Sequence, residues 1–325
     1  MASYYVLSFI VLITHNMVMN CASAAVHGHS VDADERAADG AYRPRDAGHY
    51  SDGVHHSEFD HEAILGSVKE AEEYDRLSPE EAKQRFSQLL LRMDLNGDQF
   101  IDRSELKQWF LKTFRNLSRE EADERFSESD ADSDGQVTWR EYLQDSFGID
   151  GEEDLHGEEE GETGVLVKEE REMWYKADKD GDNILDKTEF EVFINPEEHA
   201  EMHALLVRRQ LREKDGNGDG VVDFNEYVGQ RGNQQDKEWY ISEQHKFKHE
   251  LDANDDGVLD ENEVKGWIIP NNEELAEEEL EHMFELADDD RDDRLSFEEM
   301  LRHHRVFVGS ADDRDDHDDR FDDEL

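Results

Sequence analysis

Oxygen donors recur in one order at six places along this chain. Each place is twelve residues long, opens on Asp, carries Asp or Asn at its third position and Asp at its fifth, and closes on Glu. The stretches are 94–105, 130–141, 178–189, 215–226, 252–263 and 288–299, numbered here as loops one to six. A hard cation that takes six to eight oxygens is served by positions 1, 3, 5, 7, 9 and 12 of such a loop. Position 7 gives its backbone carbonyl and position 12 both carboxylate oxygens. In loop one these positions hold Asp94, Asn96, Asp98, Phe100, Asp102 and Glu105, and in loop two Asp130, Asp132, Asp134, Gln136, Thr138 and Glu141. Loop three offers Asp178, Asp180, Asp182, Ile184, Asp186 and Glu189; loop four offers Asp215, Asn217, Asp219, Val221, Asp223 and Glu226. Loop five has Asp252, Asn254, Asp256, Val258, Asp260 and Glu263, and loop six Asp288, Asp290, Asp292, Arg294, Ser296 and Glu299. A merely solvated acidic face has no reason to keep this order six times. The chemistry implied is calcium binding of the EF-hand type, with Ca²⁺ as the expected bound ion.

Position 6 separates the loops. The chain turns sharply there with φ above zero, which Gly adopts freely. Gly135, Gly220 and Gly257 meet that need, Asn183 and Asp293 tolerate it, and Gln99 fits it worst. Loops four and five are therefore expected to be the best formed and loop one the least. Position 8 is aliphatic throughout (Ile101, Val137, Leu185, Val222, Leu259, Leu295), as needed where two loops join back to back through a short β-ribbon.

Helices must flank each loop. Ser78-Pro79-Glu80-Glu81 reads as a capped helix start, and Phe86, Leu89, Leu90 and Met93 follow at helical spacing. Ser118 with Glu121 reads as a second capping box, opening the helix that carries Phe126 into loop two. Asn195-Pro196-Glu197-Glu198 ends one helix and starts the next. The aromatic residues, Trp239 among them, are read as core packing. The fold class is all-α: six EF-hand helix–loop–helix units in three pairs. Loop starts are spaced by 36, 48, 37, 37 and 36 residues, and the longer step is taken as a break after loop two. The expected pairs are thus one with two (67–148), three with four (165–232) and five with six (233–309). An acidic linker at 149–164 separates the first two. Residues 25–66 are read as a variable segment, disordered up to residue 58. Its histidines (His27, His29, His49, His55, His56) show no metal-ligand spacing and are read as solvated coil.

The chain has 87 Asp and Glu against 35 Lys and Arg, a formal charge of −52. That balance argues against nucleic acid and anionic membrane as partners and suits cations or basic clients. Six bound Ca²⁺ would reduce the charge to −40. Folding should be coupled to the metal, because the loop carboxylates repel one another without it. Residues 6–13 form an apolar run of signal-peptide length, and Ala22-Ser23-Ala24 offers a cleavage site, so residues 1–24 are read as a signal peptide. The single cysteine, Cys21, lies within it. A mature chain without disulfides in an oxidising compartment needs another means of holding its fold, and metal is one. The acidic tail 310–325 ends Asp322-Asp323-Glu324-Leu325, close to the retrieval signals of the endoplasmic reticulum, which would make the retrieval receptor a partner. A chance acidic end stays open as the alternative. Asn116-Leu117-Ser118 is the one N-glycosylation sequon. Whether Asn116 carries a glycan or Ser118 is occupied as a cap is left even.

Phe59-Asp60-His61-Glu62-Ala63-Ile64-Leu65-Gly66, Asn195-Pro196-Glu197-Glu198, Pro270-Asn271-Asn272 and Val306-Phe307-Val308-Gly309-Ser310 accompany the loops. With them residues 59–325 resemble the reticulocalbin/calumenin (CREC) family of secretory-pathway proteins. The resemblance implies low-affinity calcium binding in the endoplasmic reticulum lumen and a chaperone-like role toward secretory clients. A calmodulin-like sensor that grips target helices is the alternative. Its Met-rich groove is poorly supplied by Met93, Met173, Met202, Met283 and Met300, which are scattered. An enzyme is not expected: no nucleophile elbow, phosphate loop, H-E-x-x-H or mature cysteine occurs.

Overall fold

The computed structural model describes residues 37, 39–51, 54–152, 162–233 and 237–311. The proposed signal peptide, most of the acidic linker and the terminal Asp322-Asp323-Glu324-Leu325 lie outside the described residues. No helix among the described residues is long and apolar enough to cross a membrane.

The first helices are α1 (Glu58–Leu65), α2 (Val68–Tyr74) and α3 (Pro79–Met93). Helix α3 starts as its sequence requires: Ser78 accepts from the Glu81 amide while the Glu81 side chain accepts from the Ser78 amide. Phe86, Leu89, Leu90 and Met93 form its buried face. Helix α4 (Arg103–Ser129) then runs unbroken for 27 residues. Helices α5 (Trp139–Phe147), α6 (Glu162–Ala177), α7 (Lys187–Ile194) and α8 (Ala200–Lys214) flank loops two, three and four. Next come α9 (Phe224–Val228) and α10 (Lys237–Lys246), which leads through a π turn at Phe247–Leu251 into loop five. Helices α11 (Glu261–Ile268), α12 (Asn272–Ala287), α13 (Phe297–Arg302) and α14 (His304–Val308) complete the order. Trp239 is only half-buried, and α10 buries none of its side chains, so this aromatic is not a core residue.

Ser118 does not open a helix. It sits buried in the middle of α4, where its hydroxyl donates to the Phe114 carbonyl at 3.0 Å. The local Ser-x-x-Glu pattern is the same in a helix start and in a helix interior, and packing decides between them. This continuity explains the main departure from the expected architecture. A 27-residue helix is a rod of about 40 Å, so the loops at its two ends cannot meet.

The loops instead pair one with six, two with three and four with five. Strand β3 (Phe100–Ile101) runs antiparallel to β8 (Leu295–Ser296), with Ile101 opposite Leu295. Strands β4 (Val137–Thr138) and β5 (Ile184–Leu185) place Val137 opposite Leu185, and β6 (Val222–Asp223) and β7 (Val258–Leu259) place Val222 opposite Leu259. All six position-8 side chains are fully buried at these ribbons. The aliphatic requirement thus holds as expected, but the partners differ.

Two hydrophobic cores result. One gathers loops two to five, with Trp139, Tyr142, Trp174, Phe190, Phe193 and Tyr227 at its centre. The other joins the first and last hands to α1, α2 and α14 through Ile64, Phe86, Phe110, Phe114, Met283 and Phe307. Helix α4 serves both, with Leu106 to Leu117 in one core and Ala122 and Phe126 in the other.

Part of the stretch expected to be disordered, residues 25–58, is ordered, and the segment that follows it is helical. Helix α1 buries Phe59, Ala63, Ile64 and Leu65, and its Ala63 and Ile64 carbonyls accept from Thr113 (2.5 Å) and the Trp109 indole (2.8 Å) of α4. Before it, residues 39–46 form a strap. The Tyr42 side chain is buried in the larger core, and its amide donates to the Ile268 carbonyl at 2.9 Å. Asp39 pairs with Lys246 at 3.0 Å, and Arg45 bonds Ser118 and Glu198. A hairpin of β1 (Tyr50–Ser51) and β2 (Val54–His55) follows. One aromatic anchor and a few ion pairs suffice to order a segment whose composition reads as solvated coil.

Candidate metal centres

All six loops are held by the same lattice of backbone amides. In loop four the Asp215 carboxylate accepts from Gly218 (2.6 Å), Asp219 (3.3 Å) and Gly220 (2.9 Å). Asn217 accepts from the Asp219 amide at 2.8 Å, and Asp219 from the Val221 amide at 3.1 Å. Glu226 ties the loop's two ends together: one oxygen accepts from Gly216 and Asn217, the other from Asp223 at 3.0 Å. The amides, that of Gly220 foremost, hold the Asp215 carboxyl below the usual carboxylate range. Loop one repeats the lattice through Asp94, Asn96, Asp98 and Glu105. Loops three and five do so through Asp178 and Glu189, and through Asp252 and Glu263.

Each exit helix is capped from within its loop. Asp102, Thr138, Asp186, Asp223, Asp260 and Ser296, the position-9 residues, are the N-caps, and each forms a capping box with the Glu at position 12. The same glutamate therefore sets both the loop's closure and the helix's start. Glu105, Glu189, Glu263 and Glu299 are buried; Glu141 and Glu226 are half-buried.

The donor geometry fits a calcium ion. In loops two, three, five and six, ligand oxygens of Asp130, Asp132 and Glu141, of Asp178, Asp180 and Glu189, of Asp252, Asp256 and Glu263, and of Asp288, Asp290 and Glu299 lie within 4.8 Å of one another. Loops one and four carry Asn96 and Asn217 at position 3 within the same amide scheme. An all-oxygen set with one bidentate-capable glutamate and a backbone carbonyl at position 7 suits a hard divalent ion.

Position 6 is left-handed in every loop, Gln99 included: φ is 68° at Gln99, 66° at Asn183 and 66° at Asp293, against 86° to 90° at Gly135, Gly220 and Gly257. Gln99 thus adopts the turn it suits least. The structure adds a second demand that the residue types did not reveal. Position 4 is also left-handed throughout, at Gly97, Ser133, Gly181, Gly218, Asp255 and Arg291. Only three of these six are glycine, so no compositional signal marks the position.

Loops one and six are further joined by side chains. Arg103 bonds Asp293 at 2.6 Å and Glu281 at 2.5 Å, and its guanidinium lies over the Phe284 ring. Lys107 reaches Glu277 at 2.8 Å. Arg294 at position 7 of loop six stacks over Phe100, its counterpart in loop one, at 4.2 Å, and pairs with Asp292 at 3.4 Å. These bridging cations were not identified from the sequence because their partners lie about two hundred residues away.

A family profile for the EF-hand domain pair matches residues 80–145 and 244–303. Reticulocalbin-2 of Crotalus adamanteus is 38% identical over 266 residues, covering 79% of this chain and 87% of that protein. Reticulocalbin-2 of Mus musculus is 36% identical over 270 residues, covering 81% and 84%. Reticulocalbin-3 of Homo sapiens is 33% identical over 263 residues, covering 78% and 79%.

Proposed function

The chain belongs to the reticulocalbin family and is a calcium-binding protein, and from that premise we propose that it acts in the endoplasmic reticulum lumen as a low-affinity calcium buffer and calcium-dependent binder of secretory clients. The observation that carries the reading is the six-fold repetition of one amide-braced loop in a chain of formal charge −52. Asp or Asn at positions 1, 3 and 5, Glu at position 12 and the position-7 carbonyl are the proposed ligands in each loop, with the position-9 residue (Asp102, Thr138, Asp186, Asp223, Asp260 or Ser296) coordinating directly or through a water. Three of the six loops hold a non-glycine residue in the left-handed turn at position 6, which favours weak sites. In a calcium-rich lumen such sites serve at roughly 10⁻⁴–10⁻³ M.

The net charge favours basic clients, and the reading is of a binding protein rather than a catalyst. It is a buffer and client binder rather than a helix-gripping sensor, because Met93, Met173, Met202, Met283 and Met300 are all buried within the two cores. Asp322-Asp323-Glu324-Leu325 is the proposed retrieval signal. Asn116, on the exposed side of α4, is the proposed glycan acceptor, read as a mobility shift on glycosidase treatment.

Isothermal titration with Ca²⁺ tests the buffer, and only submicromolar sites would refute it. Calcium-dependent capture of lumenal proteins, compared with a chain carrying Gln at all six position-12 glutamates, tests client binding. Retention tests the address: deleting residues 322–325 should increase secretion, and an unchanged intracellular fraction would remove the retrieval reading.

A further inference from the structure

Away from the six loops, two imidazoles and two carboxylates meet inside the terminal core. His49 comes from the turn between the strap and β1, Asp60 from α1, and Glu279 and His282 from α12. His49, Asp60 and Glu279 are buried, with relative exposures of 5%, 1% and 3%, and His282 is half-buried at the rim. The His49 Nε2 lies 2.7 Å from Asp60 Oδ1, and the His282 Nε2 lies 3.9 Å from Asp60 Oδ2. Ligand atoms of His49, Asp60 and His282 all fall within 4.8 Å of one another. On its other side, His49 presents Nδ1 to Glu279 Oε2 at 3.8 Å. The buried Glu279 carboxyl also shares a side-chain hydrogen bond with Asp60.

We propose that this cluster is a zinc-class divalent metal site, with His49 Nε2, Asp60 and His282 Nε2 as ligands and Glu279 as the carboxylate that orients His49 through Nδ1. Three observations converge. First, the donor set mixes nitrogen and oxygen, which suits zinc and excludes the hard-oxygen preference of the calcium loops. Second, a ligating histidine ordinarily donates its other ring N–H to a carboxylate, and Glu279 is the carboxylate that faces His49 Nδ1, at 3.8 Å, within a small side-chain movement of a hydrogen bond. Third, the donors are built into the fold: His49 and Asp60 are buried and come from different segments, so packing against α12 holds them together with His282. The bound ion would fasten the turn that follows the strap, and α1, to the last hand, in a chain whose single cysteine is Cys21.

The test uses the full chain, saturated with millimolar Ca²⁺ so that the loops are occupied. Zn²⁺ is titrated against a chromophoric chelator, and Co²⁺ is titrated for its ligand-field absorption. The expected result is one tightly held ion per chain and a Co²⁺ spectrum with nitrogen and oxygen ligands. His282→Gln, at the half-buried rim, should remove that ion, and Glu279→Gln should weaken it by roughly 10–100-fold. Calcium-dependent circular dichroism checks that both variants fold. No uptake of a single ion at micromolar Zn²⁺ would overturn the proposal, leaving the cluster as a proton-sharing group only. Uptake unchanged in both variants would also overturn it, because the metal would then sit on other histidines.

Discussion

Loops four and five and loops one and six carry the same amide lattice but hold it on different terms. The former pair has glycine at both sixth positions, Gly220 and Gly257, where an added Cβ would meet nothing within 4 Å. The latter has Gln99 and Asp293 in the same left-handed turn. Loops two and three are intermediate, with Gly135 and Asn183. At position 4 the three pairs are equal, each with one glycine, so position 6 sets the order. A non-glycine residue in that turn costs roughly 1 kcal/mol or a little more. The terminal pair offsets this with side-chain bridges from Arg103, Lys107 and Arg294, which are partly exposed and sensitive to salt. The lesson is that one loop pattern can yield a graded series of sites within a single chain, through a position that binds no metal.

The largest expected effect is that of withdrawing calcium. As free Ca²⁺ falls, protection from hydrogen exchange should be lost first from 94–117 and 275–308 and last from 215–268. Simultaneous or reversed loss would break the comparison. Next in size are exchanges at position 6. Gly220→Ala or Gly257→Ala should destabilise the calcium form by about 1–2 kcal/mol and weaken its loop up to about tenfold, whereas Gln99→Gly should stabilise by about 1 kcal/mol. Thermal melts at fixed Ca²⁺ with titration of each variant would read this, and equal effects of opposite substitutions are the sharpest check.

A third expectation concerns the joint between the cores. Glu197 beside α8 has a buried oxygen without a partner, and burial pushes its carboxyl up to about 7 from an ordinary 4.5. Because the folded value is raised, its stabilising contribution is complete below pH 4.5 and is lost as pH rises through about 7. Glu197→Gln should therefore raise stability at pH 8 by on the order of 1 kcal/mol, read as a higher melting temperature, and leave it unchanged near pH 4.5. Identical shifts at both pH values would argue for packing instead. The smallest effect is that of Arg103→Ala. Its pairs with Asp293 and Glu281 should contribute at most about 1 kcal/mol and fade in high salt. A loss that persists at 1 M salt would mean that its stacking on Phe284 matters more than its charge.

The loops were legible because a calcium loop dictates residue types at fixed short spacing, and Asp215 to Glu226 state that demand completely. The pairing was not legible. It turns on whether residues 116–121 break a helix, and Ser118 with Glu121 looks the same locally in either case. What settles the matter is distant: Arg45, Glu198 and the Asn195 amide all converge on Ser118. The ordered strap was missed because Tyr42 stands alone among polar neighbours, and burial of one ring is not a pattern. His49 read as coil for the same reason, since its partners Glu279 and His282 lie more than two hundred residues along the chain.

The rod-like helix between loops one and two also has a consequence in time. It leaves loop one without its neighbour as a partner and commits it to loop six, so Phe100 waits for Ser296, 196 residues later. At a synthesis rate of about 5–20 residues per second, that is a delay of roughly 10–40 s on the ribosome. The first hand to be made is the last to be completed. During that interval Ile101 and the apolar face of the first hand, Phe86, Leu90, Met93 and Phe110, lack the partners that bury them in the finished molecule.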